Sequence, residues 1–349
     1  MTGALLLRAD ASPAVGAGHL ARAIALADAW RRRGGTAHIA VGPDAGAVTA
    51  LAEARGIPVV AIDAAVGSAD DAAATAARAM ALRAGACVID GYRFDADYCD
   101  AIRRAGLGVA VIDDFGRGDR PADVTIDPNY GATGADLAGP RYALLRGEFF
   151  AHVGGPRRAR GRRGRRRPLR VLIAFGGSDP TRSAARVLRL LPPAPAVIAT
   201  VLVGPGYADD GELDAAAACA TASGHVVELA RAPRDVAWLM ATADAAICAA
   251  GTVLWELAYF GVPTAAFVIA GNQHEVAAAL ARDRYVLGGT WLLDAPAGDV
   301  AAAIAALTGN AAVRRRLARR FSELVDGRGA DRVADALAKL VAARTEAAA

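Results

Sequence analysis

Short, mostly apolar runs alternate with alanine-rich, helix-like stretches along almost the whole chain, and the alternation begins twice. In the first half, segments 4–7, 37–41, 59–62, 86–89 and 109–112 have the length and apolar character of buried strands. Helical patterns over 18–33, 45–55, 69–84 and 96–104 fit between them. The second half restarts with strand-like runs at 169–175, 197–203, 225–229, 245–248 and 264–268. Helical stretches at 182–190, 212–221, 234–242, 252–259 and 273–282 separate these, and a tail from 297 to about 344 reads as wholly helical. Such alternation builds parallel sheets covered by helices. Two rounds of it in 349 residues suit two domains of ordinary size. The expected division is an N-terminal Rossmann-like domain over 1–153, a linker over 154–168 and a C-terminal Rossmann-like domain with a helical tail over 169–349.

The linker expectation rests on composition. Residues 157–170 hold nine arginines and no acid, broken by glycines and a proline, a pattern that disfavours packed structure. With a net charge of +4, the rest of the chain is therefore mildly acidic, which argues against a nucleic-acid partner. No apolar run approaches the roughly 18 to 20 uninterrupted residues of a membrane span. The N-terminus lacks a basic n-region, and Leu5-Leu6-Leu7 is too short for a signal core. The four cysteines, Cys87, Cys99, Cys219 and Cys248, have no C-x-x-C spacing and are expected to be buried free thiols of a cytoplasmic protein. Protein partners are not readable.

Three glycine-containing turns follow predicted strands, where ligands of open α/β sheets bind. The first runs from Arg8-Ala-Asp10-Ala-Ser12 through Gly16 and Gly18 to His19, which places a proton-transfer group at a helix start. Its spacing lacks the third glycine of a dinucleotide fingerprint. The second, Gly176-Gly177-Ser178-Asp179-Pro180, offers backbone amides and a hydroxyl to an anion, and doubles as a helix cap. No lysine follows in the position a nucleoside-triphosphate loop requires. The third, Ala250-Gly251-Thr252, carries Glu256 one helical turn further on, where a carboxylate suits ribose hydroxyls. Gly261-Val-Pro263 and Gly271-Asn272-Gln273 complete that run. Asp113-Asp114 lacks companion ligands, the histidines and cysteines have no zinc spacing, and no serine elbow occurs, so neither a metal nor any other cofactor is expected. Half-sites on both halves point to a ligand held between two domains.

Taken together, these segments resemble the PseG-type UDP-sugar hydrolases and, more distantly, MurG-like glycosyltransferases. The residues that carry the likeness are Arg8-Ala-Asp-Ala-Ser12, Gly18-His-Leu-Ala-Arg22, Asp90-Gly-Tyr92, Asp113-Asp114, 141–149, Gly176-Gly-Ser-Asp179 and the Ala250 to Gln273 run. The resemblance implies a GT-B-type α/β fold, two Rossmann-like domains facing each other across a cleft. It implies hydrolysis of a UDP-linked 2,4-diacetamido-2,4,6-trideoxyhexose to UDP and free sugar, with inversion and C–O cleavage, in pseudaminic-acid-type biosynthesis. His19 matches the family's essential histidine, Tyr92 an active-site tyrosine, Asn272 a sugar-contacting asparagine and Glu256 the ribose-binding glutamate. Arg8, Asp10, Gly18, Gly177, Ser178, Gly251, Thr252 and Gln273 are expected to line the UDP-sugar site. Gly91 stands where bulkier residues are common, and Gly271 where alanine is common. A spore-coat-type glycosyltransferase with a UDP-sugar donor, or a silent sugar-nucleotide-binding protein, fits the same motifs.

Overall fold

A computed structural model describes residues 3–12, 18–116, 118–152, 167–208 and 210–348. The chain divides into two compact units, one formed by Met1–Gly147 with Gly327–Ala349, the other by Glu148–Asp326. Each holds a wholly parallel sheet.

The first unit contains β1 (Ala4–Ala9), α1 (Gly18–Arg32), β2 (Thr36–Val41), α2 (Ala50–Glu53), β3 (Val59–Ala61) and α3 (Ala69–Ala81). It continues with β4 (Ala84–Asp90), α4 (Ala96–Arg104), β5 (Gly108–Ile112), β6 (Val124–Asp127) and β7 (Leu137–Ala138). Its strand order is β3-β2-β1-β4-β5-β6-β7. Strand alternation sorts the core into two layers: Leu5, Leu7 and Ala9 face α1 with its buried Trp30, while Leu6 packs with Ala72, Ala76 and Ile102 of α3 and α4. The reversal of strand order falls between β1 and β4, whose ends are joined by the Asp10 amide donating to the Asp90 carbonyl at 2.9 Å.

The second unit contains β8 (Leu169–Ala174), α5 (Ser183–Arg189), β9 (Val197–Val203), α6 (Glu212–Ala222), β10 (Val226–Arg231), α7 (Val236–Thr242) and β11 (Ala245–Ala249). It ends with α8 (Val253–Tyr259), β12 (Thr264–Val268), α9 (His274–Arg282), β13 (Leu287–Trp291), α10 (Ala297–Gly309) and α11 (Ala311–Phe321). The order is β10-β9-β8-β11-β12-β13, with the reversal between β8 and β11. The last helix of the chain, α12 (Gly329–Ala348), belongs to the first unit.

Three expectations need correction. The helical tail is not one body attached to the C-terminal domain. Asn310 stops α10 and caps α11 by accepting from the Ala312 and Val313 amides, and α12 returns to the first unit. Its apolar stripe, Ala330, Val333, Ala334, Leu337 and Val341, completes that unit's core at helical spacing. The arginine-rich stretch does not join the two units, because the chain crosses between Gly147 and Glu148. Phe149 and Phe150 already pack on Phe260 and Tyr259 of the second unit. Residues 153–166 of that stretch, and Gly16 of the first motif, lie outside the described residues. Among the cysteines, Cys87, Cys99 and Cys248 are buried thiols, whereas Cys219 is exposed. No described helix is long and apolar enough to cross a membrane.

Candidate active site

In the first unit a polar cluster gathers at the carboxyl ends of β1, β4, β5 and β6. His19 lies in the first turn of α1, and Arg22 stands three residues on, so both project from one helix face toward the end of β4. There Asp90, the last residue of the strand, meets His19 Nδ1 at 2.7 Å. Arg22 grips the same carboxylate with two nitrogens, Nε to Oδ2 at 2.9 Å and Nη2 to Oδ1 at 2.6 Å. All three residues are nearly fully buried. Burial alone would push the Asp90 carboxyl up, but Arg22 and His19 outweigh it and hold the group at about 2.

That ionised state decides the tautomer. A carboxylate only accepts, so the 2.7 Å contact places a hydrogen on His19 Nδ1. Arg22 Nη2 also lies 2.7 Å from Nδ1, and its hydrogen goes instead to the carboxylate, the only lone pair left between them. In the neutral ring Nε2 then carries the lone pair, and no described residue bonds to it. A neutral imidazole with its other nitrogen anchored is the form a general base needs.

Arg22 extends the cluster by donating from Nη1 to Asp114 at 2.7 Å. Asp114 also accepts from the Tyr92 hydroxyl at 3.1 Å. The Tyr92 ring packs edge-on against His19 and Phe115, with centroids 4.7 and 5.0 Å away. Burial and the neighbouring Asp114 push the phenol upward, so Tyr92 acts as a hydrogen-bond donor. Gly91 has a steric reason, since a Cβ there would overlap the Asp10 side chain and come within 3.0 Å of the Phe94 ring. Asp113 is held by Arg120 at 2.8 Å and by the Gly118 amide at 2.9 Å. Asp127, at the end of β6, is pushed by burial up to about 6, against the Asn129 amide that bonds it and with Asp114 and Asp113 adding to the rise.

Arg8 and Asp10 depart from expectation. Arg8 points away from His19, into the layer under α3 and α4. Its fully buried guanidinium pairs there with Asp71 at 2.8 and 3.1 Å, and Asp71 also accepts from Tyr98 and Thr75. Residue 8 falls on that face because side chains alternate along β1, and it presents no surface to a ligand. Asp10 is also buried, its two oxygens taken by Arg93 at 2.6 and 3.0 Å. Both residues support the strand ends. Gly18, at the start of α1, is exposed.

In the second unit the expected residues also collect at carboxyl ends, those of β8, β11 and β12. Gly176, with φ of 88°, turns the chain out of β8, and the Gly177 carbonyl accepts from the Gly206 amide at 3.1 Å. Asp179 caps α5 by accepting from the Ser183 and Ala184 amides at 2.9 Å each. The half-buried Ser178 makes no side-chain bond with described residues. Gly251 and Thr252, half-buried, lead from β11 into α8, which carries the half-buried Glu256. Cys248 sits beneath them, its thiol pushed up by burial and by Glu256. Gln273 Oε1 accepts from the Ile269 amide at 3.0 Å, and its Nε2 lies beside Gly251. Gln273 thus braces two of the turns, next to the half-buried Asn272.

The sequence resemblance includes Arg22, Asp90 and Asp114 but assigns them no role. The available signal was a His and an Arg three apart on one helix, with aspartates ending two successive strands.

No model of a known protein family matches the chain. A comparison with curated proteins finds no match either. Solved structures do match. Acinetobacter baumannii MurG superposes with a TM-score of 0.69 at 17% identity, covering 97% of this chain and 100% of that one. The UDP-GlcNAc 2-epimerase from Neisseria meningitidis, bound to UDP-GlcNAc, gives 0.63 at 11% identity, covering 97% and 100%. The spinosyn rhamnosyltransferase SpnG, complexed with spinosyn aglycone, gives 0.59 at 16% identity, covering 94% and 98%. These likenesses establish the fold: two Rossmann-like parallel-sheet domains of the GT-B type.

Proposed function

We propose that the chain is a UDP-sugar hydrolase, acting on a UDP-linked 2,4-diacetamido-2,4,6-trideoxyhexose as its sequence resemblance implies. The observation that carries the catalytic part is the 2.7 Å contact between His19 Nδ1 and the Asp90 carboxylate, which makes Nε2 the proton acceptor of the neutral ring at a strand-order reversal. In this reading a water attacks the anomeric carbon, and His19 Nε2 takes its proton as the new C–O bond forms. The bond from carbon to the diphosphate oxygen breaks, and its electron pair leaves with UDP. Tyr92 donates toward the sugar from beside His19, with Asp114 as its resting partner.

The nucleotide is assigned to the second unit. Gly177, Ser178, Gly251 and Thr252 offer amides and hydroxyls to the diphosphate, and Glu256 accepts from the ribose. The sugar is assigned to the first unit, beside His19 and Tyr92. A UDP-GlcNAc 2-epimerase bound to UDP-GlcNAc and a rhamnosyltransferase among the similar structures support nucleotide-sugar chemistry on this fold.

The test is incubation with candidate UDP-sugars in ¹⁸O-labelled water without any acceptor. Steady release of UDP with label in the sugar is the expected result. UDP release that requires an added acceptor would make the protein a glycosyltransferase, and binding without turnover in either mixture would make it a sugar-nucleotide-binding protein. His19→Asn should lower turnover by about 10²- to 10⁴-fold while UDP still binds. Near-normal turnover in that variant would remove His19 as the base.

A further inference from the structure

Arg22 is the residue that touches both arms of the first unit's cluster. Its Nε and Nη2 hold Asp90, and its Nη1 holds Asp114, which in turn accepts from Tyr92. It is 5% exposed, so its part is played through its neighbours and not against a substrate. We propose that Arg22 is a positioning residue that fixes the hydrogen of His19 on Nδ1, its permanent charge keeping Asp90 ionised beside a neutral imidazole. This inference rests on the reading of His19 as the base.

The physical reason lies in what the pair would do without a cation. A carboxyl buried against an imidazole has two stable arrangements. It can keep the proton and donate it to Nδ1, which moves the ring hydrogen to Nε2. It can instead give the proton to the ring and form an imidazolium–carboxylate pair. Neither leaves Nε2 bare. The third arrangement, carboxylate beside neutral ring, strands a buried charge unless a cation stands next to it. Arg22 is that cation, 2.6 and 2.9 Å from the two oxygens. A guanidinium does not give up its proton in proteins, so Arg22 keeps its charge at any working pH. Lysine in its place would keep the charge but could not bridge two carboxylates in different directions.

The experiment uses the full-length protein labelled with ¹⁵N-histidine, at about pH 8, above the ordinary histidine range. The His19 signal is assigned by its loss in His19→Gln. The wild type should show a neutral ring protonated on Nδ1. Arg22→Gln, which keeps a donor but removes the charge, should lose that pattern, and Arg22→Lys should retain it. With turnover as a second readout, kcat in Arg22→Gln should fall about 10²- to 10⁴-fold with KM little changed, and Arg22→Lys should recover most of it. A role limited to bonding would leave the pattern unmoved in Arg22→Gln, and that result overturns the proposal. If Arg22→Gln does not fold, the wild-type spectrum decides, because a His19 protonated on Nε2 overturns it outright. The spectra need no substrate, so a protein that turns over no UDP-sugar refutes the hydrolase reading while leaving this measurement valid.

Discussion

Asp127 shows what one buried carboxyl does to the pH dependence of the first unit. It is 5% exposed, and among the described residues its carboxylate accepts only the Asn129 amide, at 2.9 Å. Burial raises it to about 6, above its ordinary value of 3.8. For an acid raised in the folded state, the favourable contribution is complete below the unfolded value and is lost as pH rises through the folded one. The penalty is therefore full above about pH 6. Asp127→Asn keeps the acceptor for Asn129 and removes the charge, so it should stabilise the protein by about 3 kcal/mol at neutral pH. The gain should shrink toward zero near pH 4, as read by urea unfolding at the two pH values; a gain independent of pH would show that the charge is not its source. None of this was legible in the sequence, where Asp127 is one aspartate before Pro128. The place of His19 at a helix start was legible, because a glycine turn after an apolar run opens α1 there. Arg8 was legible as a residue of the right motif and wrong in role, since a motif does not tell which face of β1 its side chain takes.

At the scale of the elements, the second unit's turns hold one another in place, and the bracing is what the sequence hides. The Gly176-Gly177 turn, the Gly251-Thr252 turn and the α8 carboxylate were all read from glycines placed after apolar runs. Gly204 was not, although it ends β9 and packs directly on the Gly177 backbone. A Cβ at Gly204 would overlap the Gly177 backbone, which has no side chain to move aside. Gly204→Ala should therefore displace the turn, destabilising the protein by about 1–3 kcal/mol. It should also weaken UDP binding in calorimetry, and unchanged affinity would separate this turn from the nucleotide. Glu256→Ala tests α8 itself. Loss of one charged partner should weaken UDP by about 1.5–3 kcal/mol and spare the chemical step at saturation. Unchanged UDP affinity would take Glu256 out of the site. The strands missed in the sequence, β6, β7 and β13, have two causes: the first two are only 4 and 2 residues long, and the third contains Gly288-Gly289.

For the whole molecule, the decisive fact is where the chain passes between its units. It does so between Gly147 and Glu148 and again between Asp326 and Gly327. The arginine-rich stretch lies between neither pair. Its flanks both bond to the second unit, His152 Nε2 to Asp235 at 3.1 Å and Arg167 to Asp244 at 2.7 Å. Asp235 caps the start of α7 and Asp244 follows its end, so His152 and Arg167 bond at the two ends of one helix. The sequence could not show this, because glycine-broken charge between two sheet patterns looks the same whether it connects domains or interrupts one. The consequence is testable. Replacing the seven arginines between residues 157 and 166 by glycine and serine at equal length takes the net charge from +4 to −3 and leaves both crossings and both anchoring bonds in place. Turnover of a UDP-sugar should stay within a few-fold of wild type, and the thermal midpoint should be unchanged. Surface charge acts within about 8 Å at physiological salt, so any residual effect should fade as salt is raised. A large loss of turnover that salt does not touch would mean that these arginines contact the substrate directly, and the diphosphate would then be the first place to look for them.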